Sequence, residues 1–183
     1  MSELQLLLDG LEQQWRALGV PTERVLAPGL DAAQVRGALM SELGTAPDDL
    51  VTWFTWHNGT TAQGWEAAPL PHQLHTLEHC VQNRQEQISI KVSPPMTGWD
   101  LAWLPLTDEP VSSLYAFHTR TGQLLLVDWW SAEFVFPAAA DLATAVRFWT
   151  RVLQGGYYRW VDGAWEYDFA SLPLEIRSSS LTG

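Results

Sequence analysis

Apolar residues recur every three or four positions through the first half of the chain, which is the spacing of an amphipathic helix. The first run predicts a helix over residues 2–18, with Ser2 and Gln5 at capping positions. Asp31 and Pro47 suit the starts of two more helices, since both residue types fit the first turn. The predicted helices cover residues 2–18, 31–43, 47 to the Asn58-Gly59 pair, 70–84 and 141–153, and residues 20–29 are predicted to form a loop.

Strand-forming residues dominate between positions 88 and 136. The predicted strands cover residues 88–92, 101–104, 114–118, 124–129 and 134–136, with a turn at Thr121-Gly122. Asp162-Gly163 is typical of tight hairpins and predicts an aromatic hairpin over residues 157–169. Helices followed by strands indicate a single α+β domain, in which helices pack around an antiparallel-rich mixed sheet.

Composition and charge narrow the functional classes. The 183 residues are 46% hydrophobic and 17% charged, which is typical of one globular domain. Ten basic and 21 acidic residues give a formal charge of −11. Such a charge disfavours binding to nucleic acid and favours a cationic partner, although acidity alone can also serve solubility. Eleven tryptophans supply both core residues and candidate interface anchors.

The lone Cys80 excludes a disulfide or a thiolate zinc cluster within one chain. The first 18 residues carry charges throughout and lack the apolar run of a signal peptide. No stretch approaches the roughly 20 apolar residues that a membrane helix needs. We therefore expect a cytoplasmic protein that does not bind membranes.

Short motifs in a characteristic order resemble the SMI1/KNR4 family, also called the SUKH superfamily. The first block contains Leu43-Gly44, Pro47-Asp48-Asp49-Leu50, Trp53 and His57-Asn58-Gly59. The second contains Trp99-Asp100 and Trp103-Leu104-Pro105-Leu106, and is followed by Gly122 and a closing helix over residues 142–153. The chain departs from the family pattern at Ser112-Ser113, at Phe117-His118 and at Asp141, which stands where a serine commonly starts the last helix.

The resemblance implies a domain of residues 1–183 with a core over residues 30–156, flanked by the first helix and the aromatic hairpin. It also implies binding without known catalysis or a cofactor. Bacterial members of the family resemble immunity proteins that neutralise polymorphic toxins, whereas fungal members are regulatory proteins. The short acidic chain is more similar to the bacterial members.

One histidine motif offers a different interpretation. His75, Glu78 and His79 match the H-x-x-E-H pattern of some zinc proteases, and His72 adds a third imidazole. On a helix over residues 70–84, these histidines lie opposite the leucine face and point to solvent. We therefore predict no metal or catalytic site here, and a metal-dependent hydrolase stays a remote alternative. His57 and His118 are predicted to be structural.

The acidic residues of the second half are the candidate partner-binding surface. Their alternative interpretations are acid–base pairs or solvated carboxylates at turns and edges. Trp129 and Trp130 point to opposite faces if they lie in a strand, so one of them can be an exposed anchor. The predicted partner-binding residues are Asp100, Asp108, Glu109, Asp128 and Trp130. They predict an immunity protein that occludes a basic toxin domain, or alternatively a regulatory scaffold.

Overall fold

The computed structural model describes residues 1–61, 73–90, 99–108, 113–128, 135–167 and 171. Its helices are α1 (Glu3–Ala17), α2 (Thr22–Val25), α3 (Ala32–Leu43), α4 (Asp48–Trp56), α5 (Leu77–Ile90) and α6 (Leu142–Gln154). Its strands are β1 (Leu26–Pro28), β2 (His57–Thr60), β3 (Gln73–Leu74), β4 (Trp103–Pro105), β5 (Thr107–Asp108), β6 (Ser113–His118), β7 (Leu124–Asp128), β8 (Val135–Ala139), β9 (Tyr158–Val161) and β10 (Ala164–Tyr167).

Capping side chains fix where three of the helices begin, as the sequence predicted. Ser2 accepts a hydrogen bond from the Gln5 N–H, and Asp141 accepts one from the Thr144 N–H. Asp31 forms a complete capping box with Gln34. These bonds satisfy N–H groups that have no partner within the helix, so each start is defined by local sequence.

The central sheet has the strand order β4-β6-β7-β8, and all its pairs are antiparallel. Separate antiparallel pairs join β1 to β2, β3 to β5 and β9 to β10. The turn at Thr121-Gly122 connects β6 to β7, and Asp162-Gly163 connects β9 to β10 with both residues at positive φ. The predicted α+β class is therefore confirmed.

Side chains of the sheet alternate between two apolar clusters. Phe117 and Leu124 join the main core, which α1, α4 and α6 also enter with Trp15, Trp53 and Trp149. A smaller cluster on the other face contains the side chains of Trp99, Trp103, Leu114, Ala116, Leu125 and Val127. Both faces of the sheet are thus covered, which is why β6 and β7 are apolar at nearly every position.

Most described tryptophans belong to these cores and are at most 8% exposed. The group comprises Trp15, Trp53, Trp56, Trp99, Trp103, Trp149 and Trp165. Trp129 and Trp130 lie outside the described residues, so the predicted anchor at this pair is not placed by the structure.

The predicted helix over residues 70–84 is wrong in position. Gln73–Leu74 forms β3, and α5 begins at Leu77, after Thr76 has capped it by accepting a bond from the His79 N–H. The helix then continues to Ile90 through a segment that was predicted to be a strand. Helix propagation across this amide-rich run outweighs the β propensity of Ile88 and Ile90.

Three further boundaries differ from prediction. α4 ends at Trp56, and Asn58-Gly59 belongs to β2 instead of ending the helix. The predicted loop over residues 20–29 contains α2 and β1. The strand predicted over residues 101–104 starts only at Trp103, because Leu101 and Ala102 form a turn. Within the described ranges, no helix combines the length and the apolar character needed to cross a membrane.

Candidate functional site

A tight turn precedes β4 and is closed by its own hydrogen bonds. The Asp100 carboxylate accepts a bond from the Ala102 N–H at 2.8 Å, and the Asp100 carbonyl accepts one from the Trp103 N–H at 3.0 Å. The Ala102 carbonyl accepts a third bond, from the Thr119 N–H at 2.7 Å. An aspartate that bonds the backbone two residues ahead is a common turn former, so local sequence explains this shape.

Arg84 fixes the same turn from the side of α5. Its guanidinium donates to the Leu101 carbonyl, from Nη2 at 2.7 Å and from Nε at 3.3 Å. Its Nη1 donates to Glu42 at 2.5 Å, and Glu42 also accepts a bond from Gln85 at 2.9 Å. The Arg84 and Glu42 side chains are only 10% and 16% exposed. The turn is therefore tied to both α5 and α3 by partly buried charged groups, which strengthens each bond.

Leu101 projects from this turn into solvent. It is 61% exposed, more than any other described large apolar residue except Met1. Beneath it, Trp99 and Trp103 are buried and pack edge to face, with ring centroids 5.4 Å apart. We call residues 99–103 the Leu101 turn. Its buried aromatic base and its backbone bonds hold an apolar side chain outward in one position.

Asp100, a predicted partner-binding residue, lies within the Leu101 turn. Its carboxylate is 37% exposed and forms an ion pair with Arg120 at 3.1 Å. The Arg120 side chain is 68% exposed, so water and a bound partner can both compete for this pair. Asp100 therefore shapes the turn with one oxygen, and a cationic partner can reach the other oxygen by displacing Arg120.

Two of the remaining predicted site residues, Asp108 and Asp128, do not lie beside Asp100. Strand register pairs Trp103 with His118 at one end of β6 and Asp128 with Ser113 at the other end. These ends are about 17 Å apart at roughly 3.4 Å per residue. The strand β5, which contains Asp108, follows β4 and runs beside β6. The backbone of Asp108 is therefore near the end of β6 that pairs with Asp128. Glu109 and Trp130 lie outside the described residues.

The histidine motif is divided between the interior and the surface. His79 is exposed, as predicted, and so is Glu78, whereas the prediction that His75 faces solvent is wrong. His72 lies outside the described residues. His75 precedes α5 instead of lying on it and is 2% exposed, because β2 packs over the extended segment 73–76. Its ring lies 4.4 Å from that of His79, and its Nδ1 is 3.4 Å from the Asn83 amide nitrogen. Burial, and secondarily His79, lowers the pKa of His75 to about 3. His75 is therefore neutral at physiological pH.

Other reactive side chains of the described chain have structural surroundings. Cys80 is fully buried, and this burial raises the pKa of its thiol well above the ordinary value, so it stays protonated. The His57 ring bridges the Ala27 carbonyl and Glu12, and His118 accepts bonds from N–H groups of its turn. Within the described ranges, no three His, Cys, Asp or Glu residues are grouped so as to hold a metal ion.

Comparison with known proteins does not assign the chain to a family. No protein-family model matches the chain, and no curated protein matches it. The similarity to SMI1/KNR4 proteins consequently stays a prediction from the sequence motifs.

Sequence reasoning missed Leu101 as a surface feature and Arg84 as its support. Trp99 and Trp103 are four residues apart with an aspartate between them, and this spacing suits a turn better than a strand. That signal was present in the sequence. No comparable signal marks Arg84, since its partners are 17 and 42 residues away.

Proposed function

We propose that this protein is a non-catalytic protein-binding domain of the SMI1/KNR4 type, and that it acts as a cytoplasmic immunity protein. In this proposal it neutralises a polymorphic toxin by covering the active site of a basic toxin domain. The observation that carries the proposal is the Leu101 turn, where Arg84 fixes the backbone of an exposed apolar residue that is flanked by Asp100.

The fixed geometry of the turn supports a binding role. Association normally costs free energy because loops and side chains at the interface lose conformational freedom. Hydrogen bonds from Arg84, Ala102, Trp103 and Thr119 have already ordered this backbone. An apolar anchor on such a backbone binds with little further ordering, and its removal from water contributes directly to affinity.

Charge supports a basic partner. The formal charge of −11 attracts a cationic surface and speeds encounter with it. A nuclease toxin has a cationic cleft because it must hold phosphates. An acidic protein that docks a fixed apolar residue beside such a cleft can block it by charge and by volume.

The position of His75 argues against the metal-hydrolase alternative. In the H-x-x-E-H pattern the two imidazoles hold the metal and the glutamate activates a water, so all three side chains must face one open cleft. Here His75 lies before α5 and is buried, while Glu78 and His79 lie on the helix and are exposed. Binding therefore accounts for this region better than metal-assisted hydrolysis.

The proposal predicts that the gene has a toxin-like neighbour, and the protein domain which that neighbour encodes provides the test. Mixing the two purified proteins should give a complex of one copy of each and abolish toxin activity, and the association rate should fall steeply as salt is added. Full toxin activity in the presence of excess protein would contradict the proposal. Specific binding to a housekeeping protein, with no toxin-like neighbour, would instead favour the regulatory scaffold.

A further inference from the structure

A groove of about 650 Å³ runs between α1 and α6, away from the Leu101 turn. Its lining combines apolar surface with polar groups and includes Gly10, Gln13, Gln14, Arg147, Arg151 and Gln154. Two of the ten basic residues of an acidic chain therefore lie in one groove. The groove therefore holds positive charge in a protein that is acidic as a whole, with Arg147 offset by Glu3.

The two arginines differ in their partners. Arg147 forms an ion pair with Glu3, whose side chain is 72% exposed. Among the described residues, no carboxylate lies within 4 Å of the Arg151 guanidinium. The Glu3 pair shows that a carboxylate fits at this face of α6, and Arg151 offers an equivalent position one turn further along.

Gly10 keeps the floor of the groove open. A glycine inside a helix costs about 1 kcal/mol relative to alanine. A Cβ atom at Gly10 would meet no atom of the described chain within 4 Å, so packing against α6 does not require the glycine. The small residue instead preserves space that a ligand can fill.

We propose that the groove between α1 and α6 binds an extended peptide segment in which acidic residues alternate with other residues. Arg147 and Arg151 are about 6 Å apart along the helix axis. Side chains two residues apart in an extended strand share a face and are separated by a similar distance, about 6.8 Å. Two acidic side chains at that spacing can each meet one arginine, the one at Arg147 by displacing the exposed Glu3.

The glutamines favour a peptide over a simple anion. Each amide of Gln13, Gln14 and Gln154 offers donors and an acceptor, and a peptide backbone presents both kinds of group. Phosphate presents mainly acceptors at neutral pH, so it matches the arginines but makes less use of the amide oxygens than a peptide backbone does. This peptide site goes beyond the proposed toxin binding and does not depend on it.

Fluorescence polarisation with a labelled peptide of alternating glutamate and alanine tests the proposal. Binding should be saturable, and the matching peptide of glutamine and alanine should bind at least tenfold more weakly. Arg151→Gln should weaken binding roughly tenfold or more, since a hydrogen bond to a charged group is lost. Arg36→Gln, at an exposed arginine of α3, should leave the affinity unchanged.

Two further variants separate a binding groove from a merely charged surface. Glu3→Gln should tighten binding, because it releases Arg147 for the peptide. Gly10→Ala should weaken binding, whereas Gly37→Ala, also inside a helix with open space around it, should not. Three results would each overturn the proposal. They are wild-type affinity in Arg151→Gln, the absence of saturable binding, and displacement of the peptide by inorganic phosphate at a concentration equal to that of the peptide.

Discussion

Two regions joined by α5 use buried polar groups in different ways. Near the start of the helix, His75, Cys80 and Asn83 are buried, and the pKa of His75 falls to about 3. The next residue, Arg84, is also buried, but it fixes the turn that exposes Leu101. His75 and Cys80 are thus shielded from solvent, while Leu101, a side chain suited only to contact, is presented to it. This contrast is the basis for preferring binding to catalysis here.

The largest expected effect comes from disturbing the enclosed region at Gly59. This residue has a φ of +80°, and a Cβ atom there would lie 2.6 Å from backbone atoms of His75 and Thr76. Gly59→Ala should lower the free energy of unfolding by about 3–5 kcal/mol, from left-handed strain and overpacking together.

Gly122 provides the matched control, since it has a φ of +78° with no atom near its Cβ position. Gly122→Ala should lower the free energy of unfolding by only about 1–2 kcal/mol, because it adds left-handed strain without overpacking. Equal losses in the two variants, measured by urea denaturation, would show that β2 does not press against the His75 segment.

The support of the Leu101 turn should have the next largest effect. Arg84→Gln leaves Glu42 partly buried without its cation and removes the bonds to the Leu101 carbonyl. We expect a loss of about 3 kcal/mol in unfolding free energy. Arg36→Gln, which breaks an exposed pair with Asp48, should cost at most about 1 kcal/mol. Similar costs for both would mean that Arg84 does not hold the turn.

Acidification should selectively weaken the enclosed region. The unfolded chain binds a proton at His75 with a pKa near 6.5, whereas the native pKa is about 3. Protonation therefore favours unfolding, and stability should fall as the pH drops below about 6.5. At pH 5 the loss amounts to about 2 kcal/mol.

Replacing His75 identifies the source of this pH dependence. His75→Leu should flatten the decline in unfolding free energy between pH 7 and pH 5, whereas His79→Gln should retain most of it. If wild-type stability is the same at both pH values, His75 is not shielded as the structure indicates.

Local signals explain which parts of the fold were predictable. The starts at Ser2, Asp31 and Asp141 depend on residues within three positions, and the hairpin at Asp162-Gly163 depends on two adjacent ones. Sequence reading located all four.

The parts of the fold that were predicted wrongly depend on contacts between residues that are far apart in the sequence. The segment before α5 is extended because Thr60 donates to the Leu74 carbonyl and Asn58 accepts from the Leu77 N–H. These bonds override the leucine spacing that predicted a helix from residue 70. At the candidate site, Asp100 was identified from its charge, but the exposure of Leu101 depends on Arg84, 17 residues away.

The smallest expected change in stability belongs to the most direct test of the binding proposal. Leu101→Lys and Met40→Lys each replace an apolar residue that is more than half exposed, so both variants should unfold within about 0.5 kcal/mol of wild type. Each variant is co-expressed with the toxin domain that the proposal predicts beside the gene, and growth is measured. We predict that Met40→Lys protects the cells as well as wild type, while Leu101→Lys fails to protect them. Full protection by a folded Leu101→Lys variant would contradict the assignment of the Leu101 turn as the binding surface.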